Sequence, residues 1–267
     1  MNGTTKRREY TRVEFEGPDV RLSYIDYGGE GPVLAALHGH MNESRFIDGL
    51  AQSIGGEYRV ISLDQRGHGE SGRPVSFALD QYAADALAFL DHAAARGPVF
   101  ALGHSLGGLV ACRAAAIRPE RFKALILEDI GPVVDSDMSF TLNWPRRTET
   151  KEELLDALKH LGPAFAYSIR QFEDGHELPF RGEDMVASQK EVNGDHWQDW
   201  LATSMPALVL RGTRSFVLSE DLAREMAERR PNVTLKAFNA GHMISFDQPE
   251  AYAEAILDFL RALGNHM

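Results

Sequence analysis

Short, continuous runs of apolar residues recur along the chain, and longer amphipathic stretches separate them. Such runs are typical of strands that are buried on both faces of a parallel sheet. They predict strands at residues 32–37, 58–63, 99–102, 124–127, 207–210 and 233–238. A looser alternation over residues 13–27, interrupted by Gly17-Pro18-Asp19, predicts an edge hairpin.

The amphipathic stretches carry apolar residues at helical spacing. They predict helices at residues 80–95, 106–117, 220–229 and 249–263, the second of which stops before Pro119. Strands that alternate with helices in this way are typical of a mostly parallel sheet with helices on both faces. The sequence therefore predicts an α/β fold.

One long segment breaks this alternation. Residues 133–204 contain no convincing strand pattern and are punctuated by Pro145, Pro163 and Pro179. A structureless loop of this length is rare in a compact domain. We therefore expect residues 133–204 to form a helical cap over the strand ends, inserted into a core made of residues 1–132 and 205–267.

Composition and charge indicate which partners the protein binds and in which compartment it is found. The formal net charge of −11 disfavours nucleic acid or an anionic membrane surface as a partner. The short basic cluster at residues 6–8 is expected to be a solvated terminal arm. The single cysteine, Cys112, forms no intramolecular disulfide and is expected to be an inert, packed thiol. Without a signal segment or an apolar run of roughly 20 residues, the chain is expected to be soluble and cytoplasmic.

The strongest chemical signal is a serine between two glycines, in the sequence Gly103-His104-Ser105-Leu106-Gly107. A predicted buried strand precedes it and a predicted helix follows. In this context a sharp turn lifts the serine hydroxyl above the sheet, and the glycines permit the close approach of neighbouring chain. The helix N-terminus also favours negative charge that develops at the serine. The pattern predicts a nucleophilic serine.

Three further motifs follow predicted strands in a fixed order: LHGH at residues 37–40, DQRGHGES at residues 64–71 and NAGH at residues 239–242. Together with the serine turn they resemble the α/β-hydrolase superfamily, and the resemblance extends from about residue 20 to 262. It implies the α/β-hydrolase fold and hydrolytic chemistry.

The resemblance also implies a role for each motif. Ser105 is expected to be the nucleophile, activated by His242 as the general base. The backbone N–H groups of Leu106 and His40 are expected to form the oxyanion hole. His38 is expected to brace its loop through hydrogen bonds. Whether the His40 side chain also reaches the pocket stays open.

The acid that would orient His242 is where the sequence departs from the family's usual pattern. The family usually places an aspartate shortly after the strand predicted at residues 207–210. Here Ser215 or Phe216 stands at that position. Glu220 and Asp221 follow, but they are typical of a helix start.

The family uses a second acid position, after the preceding strand. In this chain that strand ends at Glu128-Asp129. Side chains alternate along a strand, so Glu128 is expected to face away from the site and Asp129 towards it. We therefore favour Asp129 as the acid over Glu128, Glu220 and Asp221; a strand-end cap is the alternative role for Asp129.

Large side chains are frequent in the predicted cap, and most are expected to pack it upon itself. The remainder, Trp144 and Phe165 among them, are expected to line an apolar pocket over Ser105, suited to an aromatic or acyl group. The sequence has no His-Glu-x-x-His, no paired cysteines and no Gly-x-x-x-x-Gly-Lys. Neither a metal nor a cofactor is therefore expected, and the partner is expected to be a small-molecule substrate.

The leading functional hypothesis is hydrolysis of a carboxylic ester or lactone through an acyl-enzyme. Hydrolysis of a carbon–carbon bond in a ring-fission product and hydrolysis of an amide stay open. A serine at position 105 disfavours dehalogenase or epoxide-hydrolase chemistry, which needs a carboxylate nucleophile. A cofactor-free dioxygenase that uses a His–Asp dyad is a further alternative. A ligand receptor on the same fold needs neither Ser105 nor His242, so their presence disfavours it.

Overall fold

A computed structural model describes residues 9–264, and the basic cluster at residues 6–8 lies outside this range. Its centre is an eight-stranded sheet. In chain order the strands are β1 (Thr11–Glu16), β2 (Arg21–Asp26), β3 (Val33–Leu37), β4 (Arg59–Asp64), β5 (Val99–His104), β6 (Phe122–Glu128), β7 (Ala207–Gly212) and β8 (Val233–Phe238).

The strands lie side by side in the order β1-β2-β4-β3-β5-β6-β7-β8. The hairpin partners β1 and β2 pair antiparallel, and β2 pairs antiparallel with β4. Every other neighbouring pair, from β4–β3 to β7–β8, is parallel. The predicted strands and edge hairpin are thus confirmed, with the ends of the buried strands differing from prediction by at most two residues.

Helices cover both faces of the sheet and also build the segment between β6 and β7. In chain order they are α1 (Asp48–Ile54), α2 (Leu79–Ala93), α3 (Leu106–Ile117), α4 (Lys151–Leu158), α5 (Gly162–Phe165), α6 (Gly182–Val192), α7 (Trp197–Leu201), α8 (Glu220–Arg229), α9 (Ile244–Asp247) and α10 (Pro249–Gly264). Short 3₁₀ turns occur at Ser44–Ile47, Pro119–Arg121, Ser139–Asn143 and Lys159–Leu161. No helix within residues 9–264 is long and apolar enough to cross a membrane.

Two apolar clusters lie on opposite faces of the sheet because side chains alternate along each strand. In β3, for example, Ala35 and Leu37 pack with α2, α3 and α8 on one face. Leu34 and Ala36 pack with α1 and α10 on the other. The predicted α/β architecture, with helices on both faces of a mostly parallel sheet, is therefore confirmed.

The segment at residues 133–204 is helical, but it also contains short strands that were not predicted. Val133–Val134 pairs antiparallel with Gly194–Asp195. Arg147–Thr148 and Arg170–Phe172 flank Gly175–Glu177 in a small three-stranded sheet. Strands of two or three residues are too short to leave a periodic pattern in the sequence.

The end of this segment departs from the predicted cap boundary. The pairing of residues 133–134 with residues 194–195 brings the two ends of the segment together before α7 begins. Trp200 of α7 is 2% exposed within the core's own apolar cluster. Its indole N–H donates a hydrogen bond to the Met226 carbonyl at 3.1 Å, and the Arg230 guanidinium lies 4.2 Å from its ring centre. Residues 197–201 thus pack with the core.

Candidate active site

The sharp turn between β5 and α3 holds Ser105 in a backbone conformation that is unusual for a residue with a side chain, with φ 51° and ψ −120°. The flanking glycines make this turn possible. A Cβ atom on Gly103 would lie 2.3 Å from the Gly107 carbonyl oxygen, and one on Gly107 would lie 2.1 Å from the Leu37 carbonyl oxygen. Strained, closely packed turns of this kind are concentrated at functional sites.

His242 and Asp129 form a hydrogen-bonded pair at the same edge of the sheet. His242 Nδ1 lies 2.8 Å from Asp129 Oδ2, and the Asp129 side chain is fully buried while that of His242 is 30% exposed. Asp129 also has a positive φ, 51°, directly after β6. Its Oδ1 accepts a hydrogen bond from the Gly212 N–H at 2.9 Å. Because an ionised carboxylate only accepts hydrogen bonds, this contact assigns the proton to His242 Nδ1 and leaves Nε2 free to accept one.

Of the four carboxylates weighed in the sequence, Asp129 is the one that contacts the His242 ring. Glu220 and Asp221 occupy the first turn of α8. The Ser219 side chain caps this helix by accepting the Leu222 N–H at 3.2 Å, as expected for a helix start.

Ser215, which stands near the family's usual acid position, contacts the same carboxylate. Its Oγ lies 2.5 Å from Asp129 Oδ2 and also accepts the Val217 N–H at 3.1 Å. The Ser215 hydroxyl therefore donates to Asp129. Sequence reasoning missed this role because a serine in a loop carries no distinguishing pattern.

Glu128 is fully buried and faces other partners, as strand alternation predicts. Its carboxylate accepts hydrogen bonds from the Ser245 N–H at 2.8 Å and from the Tyr252 hydroxyl at 2.9 Å. Burial raises the pKa of Glu128 to about 6. Glu128 thereby anchors the beginnings of α9 and α10, which directly follow His242.

His104, directly before the serine, holds His242 from another side. Its Nε2 lies 3.1 Å from the His242 carbonyl oxygen, and the two rings are 4.6 Å apart between centres. Burial, with the nearby His242, lowers the pKa of His104 well below the usual range, so the ring is neutral and Nε2 carries the donated proton. Its place before Ser105 was the available signal for this role.

The loop after β3 packs directly on the serine turn. A Cβ atom on Gly39 would lie 3.1 Å from Ser105 Cβ and 2.7 Å from His104 Nδ1. His38 ties this loop to its neighbour: its Nδ1 lies 2.7 Å from the Gly39 carbonyl oxygen, and its Nε2 accepts the Gln65 N–H at 3.0 Å. Burial lowers the pKa of His38 to about 4, so the ring is a neutral brace.

Two backbone amides are expected to form the oxyanion hole. That of Leu106 follows Ser105 in the chain, and that of His40 belongs to the loop after β3. Leu106 is the first residue of α3, where a backbone N–H has no intrahelical acceptor. Among the described residues, neither the Leu106 N–H nor the His40 N–H donates to a protein acceptor. Both are therefore available to a substrate oxygen.

Trp144 and Phe165, the predicted pocket residues, belong to an apolar cluster inside the segment at residues 133–204. Phe165 is 3% exposed in this cluster, and the half-buried Trp144 packs at its margin, 6.2 Å from Phe180 between ring centres. Met41 and Met243 also contact the cluster, and they directly follow His40 and His242. The apolar interior of the segment thus extends to the predicted site.

Comparisons with known proteins agree with the observed fold. Residues 34–255 match a statistical model described as the Alpha/beta hydrolase family. The chain is 26% identical over 252 residues to 2-(acetamidomethylene)succinate hydrolase of Mesorhizobium japonicum, covering 88% of this chain and 90% of that protein. It is also 26% identical over 252 residues to 3-oxoadipate enol-lactonase 2 of Acinetobacter baylyi, covering 89% and 92%.

A solved structure of E-2-(acetamidomethylene)succinate hydrolase superposes with a TM-score of 0.83 at 22% identity, covering 95% of this chain and all of that one. The likeness extends the fold agreement to nearly the whole molecule. The family match supports an enzyme of the hydrolase class. The chain belongs to the alpha/beta hydrolase family.

Proposed function

We propose that this protein hydrolyses a carboxylic ester or lactone through an acyl-enzyme formed on Ser105. The observation that carries the proposal is the 2.8 Å contact between His242 Nδ1 and the buried Asp129, beside the strained serine turn. A histidine whose Nδ1 is held by a carboxylate, next to a serine on a sharp strand-to-helix turn, is the arrangement that serine acyl transfer requires.

In the first half-reaction, Ser105 Oγ attacks the carbonyl carbon while His242 Nε2 takes the hydroxyl proton. The carbonyl oxygen becomes an oxyanion, which the N–H groups of His40 and Leu106 stabilise. As the intermediate collapses, the bond to the leaving oxygen breaks and His242 gives its proton to that oxygen. An alcohol departs, or the opened chain remains attached when the substrate is a lactone.

In the second half-reaction, a water molecule attacks the acyl-enzyme while His242 takes its proton. The second intermediate collapses to release the carboxylic acid, and His242 returns the proton to the departing Ser105 oxygen. Asp129 stays ionised throughout and stabilises the imidazolium that forms in both halves. The hydrogen bonds from Gly212 and Ser215 hold the carboxylate in this orientation.

The substrate class rests on the apolar segment and on the relatives. The cluster around Phe165 offers an apolar surface to an acyl group, and Met41 and Met243 extend it to the site. One relative is named as an enol-lactonase, which supports an ester or lactone bond. We propose that residues 133–196 form the cap over this site and select the acyl group.

Amide hydrolysis is the second candidate. The relative named as a hydrolase of an acetamidomethylene succinate has an amide group in the name of its substrate. The same acyl-enzyme mechanism applies, with His242 giving its proton to a leaving nitrogen instead of an oxygen.

A panel of p-nitrophenyl esters, lactones and p-nitroanilides tests the proposal, together with labelling by a fluorophosphonate probe. We expect ester or lactone turnover and one covalent adduct on Ser105, located by peptide mass spectrometry. Turnover of anilides alone would support the amide alternative. Turnover that persists after complete labelling, or oxygen consumption by the labelled enzyme, would favour the dyad chemistry of a cofactor-free dioxygenase and overturn the proposal.

A further inference from the structure

Three buried side chains connect the loop after β3 with α2 and α6. His40 Nε2 lies 2.8 Å from Ser188 Oγ, and the Tyr82 hydroxyl lies 2.8 Å from the same oxygen. The exposed fractions of His40, Ser188 and Tyr82 are 6%, 0% and 1%, so water does not compete for these contacts. We refer to these three residues as the His40 relay.

The donor count of the His40 relay selects one tautomer of His40. If the Tyr82 hydroxyl donates to Ser188 Oγ and the Ser188 hydroxyl donates to His40 Nε2, both buried hydroxyl protons have an acceptor. If His40 Nε2–H donates to Ser188 instead, the hydroxyl proton of either Tyr82 or Ser188 has no acceptor among the described residues. An unsatisfied buried donor costs free energy, so the relay favours His40 protonated on Nδ1.

His40 Nδ1 has no hydrogen-bond partner among residues 9–264. This nitrogen is not fully buried, so it keeps some access to solvent. Burial, with His38 and His242 nearby, lowers the pKa of His40 to about 3. The ring is therefore a neutral imidazole with one available N–H donor.

We propose that the His40 side chain donates a hydrogen bond from Nδ1 to the substrate, in addition to the predicted role of its backbone N–H. The expected ligand is an acyl group with a second acceptor, a carbonyl or carboxylate oxygen, close to the scissile carbonyl. Ser188 and Tyr82 are positioning residues that act through His40. This inference rests on the proposed acyl transfer at Ser105.

The tautomer is tested without any substrate. Long-range ¹H–¹⁵N spectra of protein labelled at histidine distinguish a neutral ring protonated on Nδ1 from one protonated on Nε2. We expect His40 to be protonated on Nδ1 at pH 7, and Ser188→Ala to shift it towards Nε2. A wild-type His40 protonated on Nε2 overturns the proposal, whatever the enzyme's activity.

The substrate contact is tested with two p-nitrophenyl esters of the same shape, 4-oxopentanoate and 4-methylpentanoate. We expect the wild-type enzyme to prefer the oxo ester in kcat/KM, and Ser188→Ala to lower that preference by about three- to tenfold, the range for one neutral hydrogen bond. Ser188→Thr keeps the hydroxyl and should keep the preference.

Ser168→Ala is the matched control, because Ser168 is 2% exposed and its hydroxyl donates to the Phe165 carbonyl within the same segment at 2.8 Å. It should leave the preference unchanged. If Ser188→Ala does not fold, Tyr82→Phe tests the same relay from its other end. An unchanged preference in a folded relay variant overturns the inference. If the wild type turned over neither ester, the result would count against the proposed function. The tautomer measurement would still test the inference about His40.

Discussion

The carboxyl ends of β5 and β6, where Ser105 and Asp129 lie, are held differently from the segment at residues 133–204. We refer to this side of the core as the edge. At the edge, Ser105 and Asp129 both have φ 51°, and backbone groups on neighbouring strands fix them. The Ser105 N–H donates to the Glu128 carbonyl at 3.0 Å, and the Asp129 N–H donates to the Leu210 carbonyl at 2.8 Å. The predicted reactive groups are therefore built into the sheet.

The segment at residues 133–204 meets the core largely through side chains, although the Gly69 N–H also donates to the Pro179 carbonyl at 2.8 Å. Arg73 Nε donates to Asp184 at 2.6 Å, Arg45 donates to the Tyr167 carbonyl at 2.9 Å, and Ser188 contacts His40. Such contacts are separable, and each is removed by one substitution. Under the proposed function, the chemistry belongs to the edge, whereas substrate choice is free to vary in the segment.

The largest expected effect lies at the edge. Ser105→Ala should lower ester turnover by about 10⁶-fold, since removal of the nucleophile eliminates the acyl-enzyme route. It should not lower the melting temperature, because the glycines that allow the turn are retained. Initial rates and thermal unfolding are measured on the same preparation. Retention of more than a few per cent of activity would rule out the nucleophile assignment.

Asp129→Asn should lower kcat by about 10⁴-fold, because the amide stabilises the wrong tautomer of His242. Glu220→Gln and Asp221→Asn are matched controls on the first turn of α8, and each should change kcat by less than about tenfold. Should one of these controls prove as severe as Asp129→Asn, the acid would be supplied from the loop after β7.

The places of these residues in the fold were predictable because each lies shortly after a strand that the sequence pattern reveals. Ser105 and Asp129 directly follow β5 and β6, and His242 lies four residues after β8. The Ser215 contact with Asp129 was not predictable, because it joins residues 86 apart in the chain through a loop without pattern. The His40 contact with Ser188 spans 148 residues and depends on how α6 packs against the core. Both contacts depend on tertiary packing, which a local sequence pattern does not reveal.

Substitution inside the segment's buried apolar cluster should lower stability. Phe165→Ala should lower the free energy of unfolding by about 3–5 kcal/mol, since it leaves a cavity in a buried apolar cluster. Phe172→Ala, at a side chain that is 42% exposed in the same segment, should cost less than about 1 kcal/mol. Urea denaturation measures both. Equal effects would mean that the cluster does not determine how the segment is held, and would weaken the comparison with the edge.

Glu128 offers a pH-dependent test of the edge. Its pKa is raised from 4.5 to about 6 by burial, so the folded state binds the proton more tightly than the unfolded state. Stability from this group is therefore full below about pH 4.5 and falls as pH rises to about 6, by about 2 kcal/mol. Glu128→Gln does not titrate, so the free energy of unfolding of wild type minus variant should fall by that amount between pH 4.5 and 7. A difference that is independent of pH would show that folding does not raise the pKa of Glu128.

The smallest effect expected at the edge concerns Ser215. Its hydroxyl donates to Asp129 Oδ2, the oxygen that also contacts His242, so its removal leaves the carboxylate with two donors instead of three. Ser215→Ala should lower kcat/KM by about tenfold, the value of one hydrogen bond to a charged group. Ser215→Thr keeps the hydroxyl and should recover most of that loss.

Ser219→Ala controls for local loop damage, since Ser219 caps α8 four residues later without contacting the acid. It should cost about 1 kcal/mol of stability and little activity. In the background of Asp129→Asn, Ser215→Ala should have a much smaller further effect, because the two residues act through one carboxylate. If Ser215→Ala and Ser219→Ala lower activity equally, or if the Ser215 and Asp129 effects simply add, then Ser215 does not orient the acid. The loop after β7 would then resemble the segment at residues 133–204, held in place but separate from the chemistry.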